Sequence, residues 1–348
     1  MSVAAPSGIV PATQSNGAIR VSVIIKALNE EKHIEAALRS ALSAVELVGG
    51  EVILADSAST DGTVELARHF PVTVVQLRNP ADRCCGIGPQ LGYQRARGEF
   101  IYILDGDMEL DPSFLPAALA AMDADPQLGG VGGLVEEASV ASYQFRGRKR
   151  RGGESRSGDC RWLDMGGLYR ASALREVGYF SNRNLHAYEE MELGLRLSAA
   201  GWMLRRIAVP GVLHYGRPES NWSLLMARWK NRYLDGAGEL LRAAVGRRYF
   251  FRVALTQKHL FAGLLIWIGL IGGLVALPTT PWPLTTTIAV IVALILVRAY
   301  RIGSIADATF GQVVWQVTSL AMVRGFFTKP RDPLEAIEYV LLSDPKSR

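Results

Sequence analysis

The chain of 348 residues has only three cysteines, Cys84, Cys85 and Cys160, and two of them are adjacent. So few cysteines exclude a fold held by a disulfide framework, and they fit reduced thiols in a domain that faces the cytosol. The patterns GxGxxG and GxxxxGK[ST] are also absent. The sequence therefore gives no support to a dinucleotide-dependent oxidoreductase or a P-loop ATPase. The segment Gly86-Ile87-Gly88 is interpreted only as a flexible turn.

The net charge is small, with 38 Lys and Arg against 33 Asp and Glu, and 49% of the residues are apolar. This mixture excludes intrinsic disorder and low complexity. Residues 1–19 lack the basic start and apolar run of an export signal, and we predict a loose tail there.

Five basic residues stand close together among glycines and serines: Arg146, Arg148, Lys149, Arg150 and Arg151. A solvated loop is the simplest interpretation, and nucleic acid is the alternative. Because aromatic residues do not alternate with these charges and no nucleic-acid motif is present, we expect no nucleic-acid partner. The segment is instead predicted to face phosphates of a donor, a lipid-linked acceptor or a membrane.

Two long segments, residues 260–277 and 281–297, carry no charge. A helix needs about 20 apolar residues to cross the hydrocarbon core, so we predict a transmembrane hairpin over residues 257–300. A pair of buried helices in a soluble protein is the alternative.

Basic residues flank this hairpin, and the connector 278–283 has none. They are Arg247, Arg248, Arg252 and Lys258 before it and Arg298 and Arg301 after it. Since positive residues stay inside, both flanks are expected in the cytoplasm, with the protein multi-pass in the inner cell membrane. A third apolar segment, residues 305–325, is interrupted by polar and charged residues. This segment either lies in the membrane–water interface or packs against the hairpin.

The first 240 residues alternate between strand-like and helix-like segments. VSVIIKA from Val21, EVILADS from Glu51, PVTVVQL from Pro71 and EFIYILD from Glu99 are predicted strands, and residues 30–48 are a predicted helix. Such alternation predicts an open α/β domain with a parallel sheet. Ligands of these sheets bind beyond the carboxyl ends of the strands.

Polar residues follow three of these strands. They are Asn29-Glu30, Asp56-Ser57 and Asp105-Gly106-Asp107. Acidic strand ends at one edge suit a cation or a ligand rich in hydroxyl groups. Two carboxylates around a glycine can bind Mg²⁺ or Mn²⁺, and the glycine lets a diphosphate approach the backbone.

Taken together, these motifs resemble the family 2 glycosyltransferases of the GT-A fold, over about residues 20–235. The matching segments are Leu28-Asn29-Glu30, Asp56-Ser57-Ala58-Ser59-Thr60-Asp61-Gly62-Thr63, Asp105-Gly106-Asp107, Glu189-Glu190-Met191-Glu192-Leu193-Gly194-Leu195-Arg196 and Val212-Leu213-His214. The resemblance implies donor binding by Asn29, Glu30, Asp56 and Asp105, with Asp56 reading the nucleobase. It also implies a metal site of Asp105, Asp107 and His214.

The second acid of the downstream motif, Glu190, is the catalytic base that the resemblance implies, with Glu189 as its nearest competitor. The alternative is that Glu189, Glu190 and Glu192 only stabilise a helix N-terminus. His186 and Glu189 are a weaker candidate pair for a second metal. Arg228-Trp229 matches half of the Gln-x-x-Arg-Trp motif of processive synthases, whose Gln position is Leu225 here, so we expect non-processive transfer.

The implied protein is a metal-dependent inverting glycosyltransferase anchored in a membrane. It is expected to move a sugar from a nucleotide-sugar, a UDP-sugar, to a lipid-linked or surface-polysaccharide precursor. The alternatives are a polyprenyl phosphate as acceptor, or a non-catalytic membrane scaffold. The predicted divisions are residues 1–19 (tail), 20–240 (GT-A domain), 241–256 (interfacial linker), 257–300 (transmembrane hairpin) and 301–348 (third membrane-associated segment and cytoplasmic tail).

Overall fold

A computed structural model describes residues 19–138, 157–164, 166–216 and 220–345. The predicted tail up to residue 18 and the basic cluster at 146–151 lie outside these ranges. The strands are β1 (Val21–Ala27), β2 (Gly50–Asp56), β3 (Thr73–Leu77), β4 (Phe100–Asp105), β5 (Met108–Leu110), β6 (Leu128–Glu137), β7 (Gly158–Cys160), β8 (Gly167–Arg170), β9 (Met203–His214) and β10 (Tyr339–Ser343).

Twelve α-helices lie within the described ranges. They are α1 (Ile34–Val48), α2 (Thr63–Ala67), α3 (Ile87–Tyr93), α4 (Phe114–Ala124), α5 (Ala171–Glu176), α6 (Glu189–Ala199), α7 (Asn221–Lys230), α8 (Gly236–Ala243), α9 (Phe250–Thr256), α10 (Lys258–Ala276), α11 (Trp282–Ile302) and α12 (Ile305–Phe327). The predicted linker at 241–256 is thus largely helical, and α8 crosses the predicted boundary at residue 240. All three cysteines are free.

Strands from the first 214 residues and β10 from near the end of the chain form one sheet of ten strands, in the order β10-β3-β2-β1-β4-β8-β6-β9-β5, with β7 paired to β9. The four strands expected from the sequence, β3, β2, β1 and β4, are parallel neighbours, which confirms the predicted parallel sheet. β8 then pairs antiparallel to β4, so the complete sheet is mixed. Asp56 and Asp105 therefore end at the same edge of the sheet.

The central strand β1 is buried on both faces, which explains its nearly continuous apolar sequence. Val23 and Ile25 belong to the core layer that contains residues of α1 and α4. Ile24 faces the opposite layer, which contains residues of α3 and α6. Helices therefore cover both faces of the sheet.

Helices α10 and α11 form an antiparallel hairpin, and both are long and apolar enough to cross a membrane. Glycines let the two helices approach closely. A Cβ at Gly273 would lie 2.7 Å from Leu284 Cα, and one at Gly269 would lie 2.8 Å from Thr287 Oγ1. Small residues serve this purpose in membrane helix pairs.

The third apolar segment is helix α12, which packs against the hairpin and also against the domain formed by the sheet and its helices. A Cβ at Gly263 of α10 would meet Ser319 Oγ of α12 at 2.1 Å. Arg324, a charge that interrupts the segment, donates to both carboxylate oxygens of the fully buried Asp235 at 2.6 and 2.9 Å. Its guanidinium also lies 4.1 Å from the ring centre of Trp229. The charge therefore docks the helix onto the domain.

We expect Arg324→Met to lower the free energy of unfolding by about 2 kcal/mol, because it removes charged hydrogen bonds to a buried carboxylate. Arg232 still donates to Asp235 at 3.0 Å and limits the loss. Thermal unfolding in detergent measures the effect. Arg39→Met is the matched control, since its pair with Glu35 is exposed and should contribute less than about 0.5 kcal/mol. Equal shifts for the two variants would contradict this role of Arg324.

The chain returns to the sheet after α12, where β10 pairs antiparallel to β3 with Tyr339 opposite Leu77. Gln94 fixes the approach, because its Nε2 donates to Ile337 O at 3.0 Å and its Oε1 accepts from Ile337 N at 2.7 Å. The sequence analysis did not foresee this strand within residues 301–348. β10 is an edge strand of the ten-stranded sheet.

Candidate active site

Two turns beyond the carboxyl ends of β1 and β2 are hydrogen bonded to each other. Asn29 has φ of 57°, a left-handed conformation that asparagine tolerates better than most residues. Its backbone N donates to Ser59 Oγ at 2.9 Å, and its Oδ1 accepts from Thr60 N at 2.8 Å. Glu30 N donates to Thr63 Oγ1 at 2.8 Å. The structure therefore unites the first two predicted motifs.

Asp56 ends β2 and is fully buried. Its carboxylate accepts hydrogen bonds from Ser59 N and Gln76 Nε2, both at 2.9 Å, and from Ser59 Oγ. These bonds hold the turn that follows β2. Recognition of a nucleobase by Asp56 stays a prediction.

The glycine between Asp105 and Asp107 is required by packing. A Cβ at Gly106 would lie 2.9 Å from Glu30 Cγ and 3.3 Å from Ala27 Cβ. The sequence analysis related this glycine to the approach of a diphosphate, whereas the structure relates it to the approach of Glu30. Asp105 and Asp107 therefore stand beside the first turn.

His214, at the end of β9, lies between two carboxylates. Its Nε2 is 3.5 Å from Asp107 Oδ2, and its Nδ1 is 2.7 Å from Glu137 Oε2. Because an ionised carboxylate only accepts, Nδ1 carries a proton and donates a hydrogen bond to Glu137. Burial lowers the pKa of His214, but the hydrogen bonds with Asp107 and Glu137 outweigh burial and raise it above its usual value.

The structure brings together two of the three predicted metal ligands, Asp107 and His214, whereas Asp105 is bound to Lys26. Within the described ranges no group of three or more His, Cys, Asp or Glu side chains is placed to hold a metal ion. A carboxylate and an imidazole oriented by a second carboxylate nevertheless fit Mg²⁺ or Mn²⁺ when substrate phosphates complete the shell. The site thus suits a cation that binds with its substrate.

The acidic start of α6 faces the end of β4 across the ammonium of Lys26. Lys26 Nζ lies 3.1 Å from Asp105 Oδ1, 3.2 Å from Glu189 Oε1 and 3.7 Å from Glu190 Oε1. Burial and the neighbouring charge of Glu189 raise the pKa of Glu190 to about 8. A carboxylate whose pKa lies near neutrality is suited to general base catalysis.

Glu192, the third acid of this cluster, has a structural role. It accepts from Arg196 Nε at 2.8 and 2.9 Å and from the Tyr179 hydroxyl at 2.9 Å. Arg196 in turn donates to the carbonyl oxygens of Tyr179 and Phe180. These bonds fasten α6 to the segment before it.

Two other sequence candidates also have contacts within the protein. His186 Nδ1 lies 2.9 Å from Glu239 Oε1, and its backbone N donates to the same carboxylate, so this histidine orients the loop before α6. The Trp229 ring contacts Arg324, and the Arg228 guanidinium lies 4.6 Å from the ring centre of Tyr233.

The interpretation of Gly86-Ile87-Gly88 as a flexible turn is wrong, because Ile87 and Gly88 open α3. A Cβ at Gly88 would lie 2.9 Å from Lys26 Cβ, and one at Gly86 would lie 2.0 Å from Asn182 O. Close packing against Lys26 explains Gly88, and close packing against Asn182 explains Gly86.

Sequence reasoning missed Lys26 and Glu137. Lys26 is the only charge in the apolar run of β1, and a lysine in a buried strand requires acidic partners. Glu137 ends β6, and its register places it opposite His214 of β9. Lys26 could have been found from the sequence, whereas the role of Glu137 depends on the pairing of two strands that are far apart in the sequence.

Residues 22–180 match the family model described as glycosyl transferase family 2. The chain is 28% identical over 234 residues to the N-acetylglucosaminyl-diphospho-decaprenol L-rhamnosyltransferase of Mycobacterium tuberculosis, covering 53% of this chain and 73% of the relative. It is 26% identical over 208 residues to the succinoglycan biosynthesis protein ExoA of Rhizobium meliloti, covering 56% of this chain and 63% of the relative.

A solved structure shares the fold. The mannosyltransferase PcManGT of Pyrobaculum calidifontis, in complex with GDP-Man and Mn²⁺, matches with a TM-score of 0.54 and 19% identity, covering 88% of this chain and 86% of that chain. This likeness, the family match at residues 22–180 and the arrangement of the sheet agree with the GT-A fold that the sequence predicted. Residues 22–180 therefore form a glycosyl transferase family 2 domain, and the chain is a glycosyltransferase enzyme.

Proposed function

We propose that this enzyme is an inverting glycosyltransferase that passes a sugar from a nucleotide-sugar, a UDP-sugar by our prediction, to a lipid-linked or polysaccharide precursor. One observation carries the proposal: Asp105 and the acids of α6 bind the same ammonium, with Lys26 Nζ 3.1 Å from Asp105 and 3.7 Å from Glu190. The residue predicted to contact the donor and the residue predicted to be the base therefore lie on either side of the same ammonium.

Glu190 is the proposed base. Its carboxylate takes the proton of the acceptor hydroxyl while that oxygen attacks the sugar carbon opposite the departing diphosphate. A raised pKa of about 8 makes it a stronger base than an ordinary carboxylate. The attack breaks the bond from sugar to diphosphate in the same step, so a single base is sufficient for inversion.

Asp107 and His214 are the proposed holders of a divalent cation, and Glu137 orients the imidazole. Bound there, Mg²⁺ or Mn²⁺ supplies charge stabilisation for the departing diphosphate. Asp105 is proposed to contact the donor beside it. The PcManGT structure, which contains Mn²⁺ and GDP-Man, supports divalent metal use in this fold.

The acceptor proposal rests on the relatives and on the hairpin. One relative is named for an N-acetylglucosaminyl-diphospho-decaprenol substrate and another for succinoglycan biosynthesis. Helices α10 and α11 would anchor the enzyme in the membrane where such precursors reside. Exposed apolar side chains on them, such as Val275 and Leu296, suit contact with lipid.

A panel of radiolabelled UDP- and GDP-sugars, incubated with the purified enzyme, Mn²⁺ and a membrane lipid extract, tests the proposal. We expect one donor to label a lipid fraction in a reaction that EDTA stops. If no sugar is transferred from any donor, the proposed activity is contradicted. If transfer is unaffected by EDTA, the proposed metal dependence is contradicted.

Topology is open to a separate test. Because β10 pairs with β3, the segment after α12 must lie on the same side of the membrane as the catalytic domain, and we propose that this side is the cytoplasm. In a variant without the native cysteines, an impermeant maleimide should label Thr280→Cys in intact cells and Pro345→Cys only after lysis. The reverse pattern would overturn this orientation.

A further inference from the structure

Lys26 is the only charged residue of β1, and the fold makes room for it. Its neighbour Ile24 lies on the same face of the strand, in the core layer that contains residues of α3. Glycines of α3 follow that face, because a Cβ at Gly92 would meet Ile24 Cγ2 at 2.3 Å and one at Gly88 would meet Lys26 Cβ at 2.9 Å. The stem of Lys26 is therefore held under α3, and only 17% of its side chain is exposed.

The ammonium has three N–H donors, and three carboxylates surround it. Asp105 approaches from the end of β4, and Glu189 and Glu190 approach from the first turn of α6. Burial alone lowers the pKa of Lys26, but Asp105, Glu189 and Glu190 outweigh burial and raise it well above its usual value. The group is thus a permanent cation between two elements of the site.

Three carboxylates at this spacing repel one another without a counter-charge. Each would then take up a proton or move apart, because burial already disfavours the charged form. Displacement of these carboxylates would slow sugar transfer, because a shift of about 1 Å in a catalytic group can cost about 100-fold in rate. The relative placement of β4 and α6 therefore depends on the charge at Lys26.

We propose that Lys26 is a positioning residue of sugar transfer, whose ammonium holds Asp105 at the donor end and Glu189 and Glu190 at the acceptor end in one fixed arrangement. This inference rests on the proposed function. The cation acts through the acids it binds, and it sets the distance between the donor and the base.

Three replacements separate charge from shape: Lys26→Met keeps the stem, Lys26→Gln keeps hydrogen-bond donors, and Lys26→Arg keeps the charge. We expect Met and Gln to lower kcat by about 100-fold, and Arg to stay within about 10-fold of the original enzyme. Affinity for UDP with Mn²⁺, measured by calorimetry, should fall much less than kcat in the Met and Gln variants, because the proposed cation site at Asp107 and His214 does not involve Lys26 and only the contact of Asp105 with the donor is affected. Thermal unfolding is followed in parallel.

Arg97→Met is the control for loss of an ion pair, because Arg97 binds Glu51 near the opposite ends of the strands. It should leave kcat within about twofold, because this pair lies away from the proposed chemistry. If Lys26→Met does not fold, the comparison of kcat between Lys26→Gln and Lys26→Arg tests the inference.

A kcat for Lys26→Gln equal to that of Lys26→Arg would overturn the inference, as would a kcat for Lys26→Met within about threefold of the original enzyme. The inference would also be overturned if a fall in UDP affinity accounted for the whole loss of sugar transfer in the Lys26 variants. If the original enzyme transfers no sugar from any donor in the panel, the proposed function fails instead. The two failures are therefore distinguishable.

Discussion

Replacing Glu190 with glutamine should reduce sugar transfer by about 100- to 10,000-fold while donor binding persists. The amide keeps the shape of the side chain and its hydrogen bonding, but it cannot accept a proton at neutral pH. Initial rates at saturating donor give the loss in kcat, and calorimetry with the nucleoside diphosphate and Mn²⁺ gives the affinity.

Glu189→Gln and Glu192→Gln are the matched controls on the same helix. Glu192 is bound to Arg196 and Tyr179, so its replacement should lower the unfolding temperature more than it lowers kcat. If Glu189→Gln is inactive and Glu190→Gln turns over normally, the base is Glu189. If neither replacement matters, the acids only begin a helix and the mechanism is wrong.

The raised pKa of the proposed base also predicts a dependence on pH. Glu190 must be deprotonated to accept a proton, and its pKa is raised to about 8. Activity should therefore rise as the pH increases from about 6, reach half of its maximum near pH 8 and level off above about pH 9. An activity that is constant through this interval would contradict the assignment.

Asp107→Ala should abolish metal-dependent turnover, with a loss of roughly 100-fold or more. A cation at a departing diphosphate contributes several kcal/mol, and each 1.36 kcal/mol corresponds to a factor of about 10 in rate. The fold should persist, since Asp107 lies at the site and not in the core layers. Titration of Mn²⁺ in the presence of UDP measures the lost affinity.

Glu137→Gln is the graded control for the metal site, because it leaves Asp107 and His214 in place and weakens only the orientation of the imidazole. Removal of such an orienting partner typically costs 10- to 100-fold in metal affinity or activity. Full activity of purified Asp107→Ala in the presence of EDTA would refute the metal site.

Local pattern predicted much of the fold. The strands β1 to β4 were visible as apolar runs, and their parallel pairing followed from the alternation with helices. The polar strand ends were visible for the same reason, since a buried strand that stops at Asp56 or Asp105 places a charge at the sheet edge. Because β1 and β2 are parallel neighbours, Asn29 lies close to the turn at residues 59–60.

Contacts across long separations were not visible in the sequence. Lys26 meets Glu189 more than 100 residues later, and His214 meets Glu137 only because β6 and β9 pair. Arg324 looked like an interruption of an apolar helix, and only the buried Asp235 gives it a role. In each case a charge without a local explanation had a distant partner.

Pairing of β10 with β3 has a consequence for biosynthesis. Strand β3 emerges from the ribosome about 260 residues before its edge partner, and at 5–20 residues per second that interval lasts tens of seconds. During this time the hairpin is inserted while the edge of β3 exposes unpaired backbone groups, which favour aggregation. Nascent chains of this enzyme are therefore expected to depend on a chaperone until residues 339–343 have been translated.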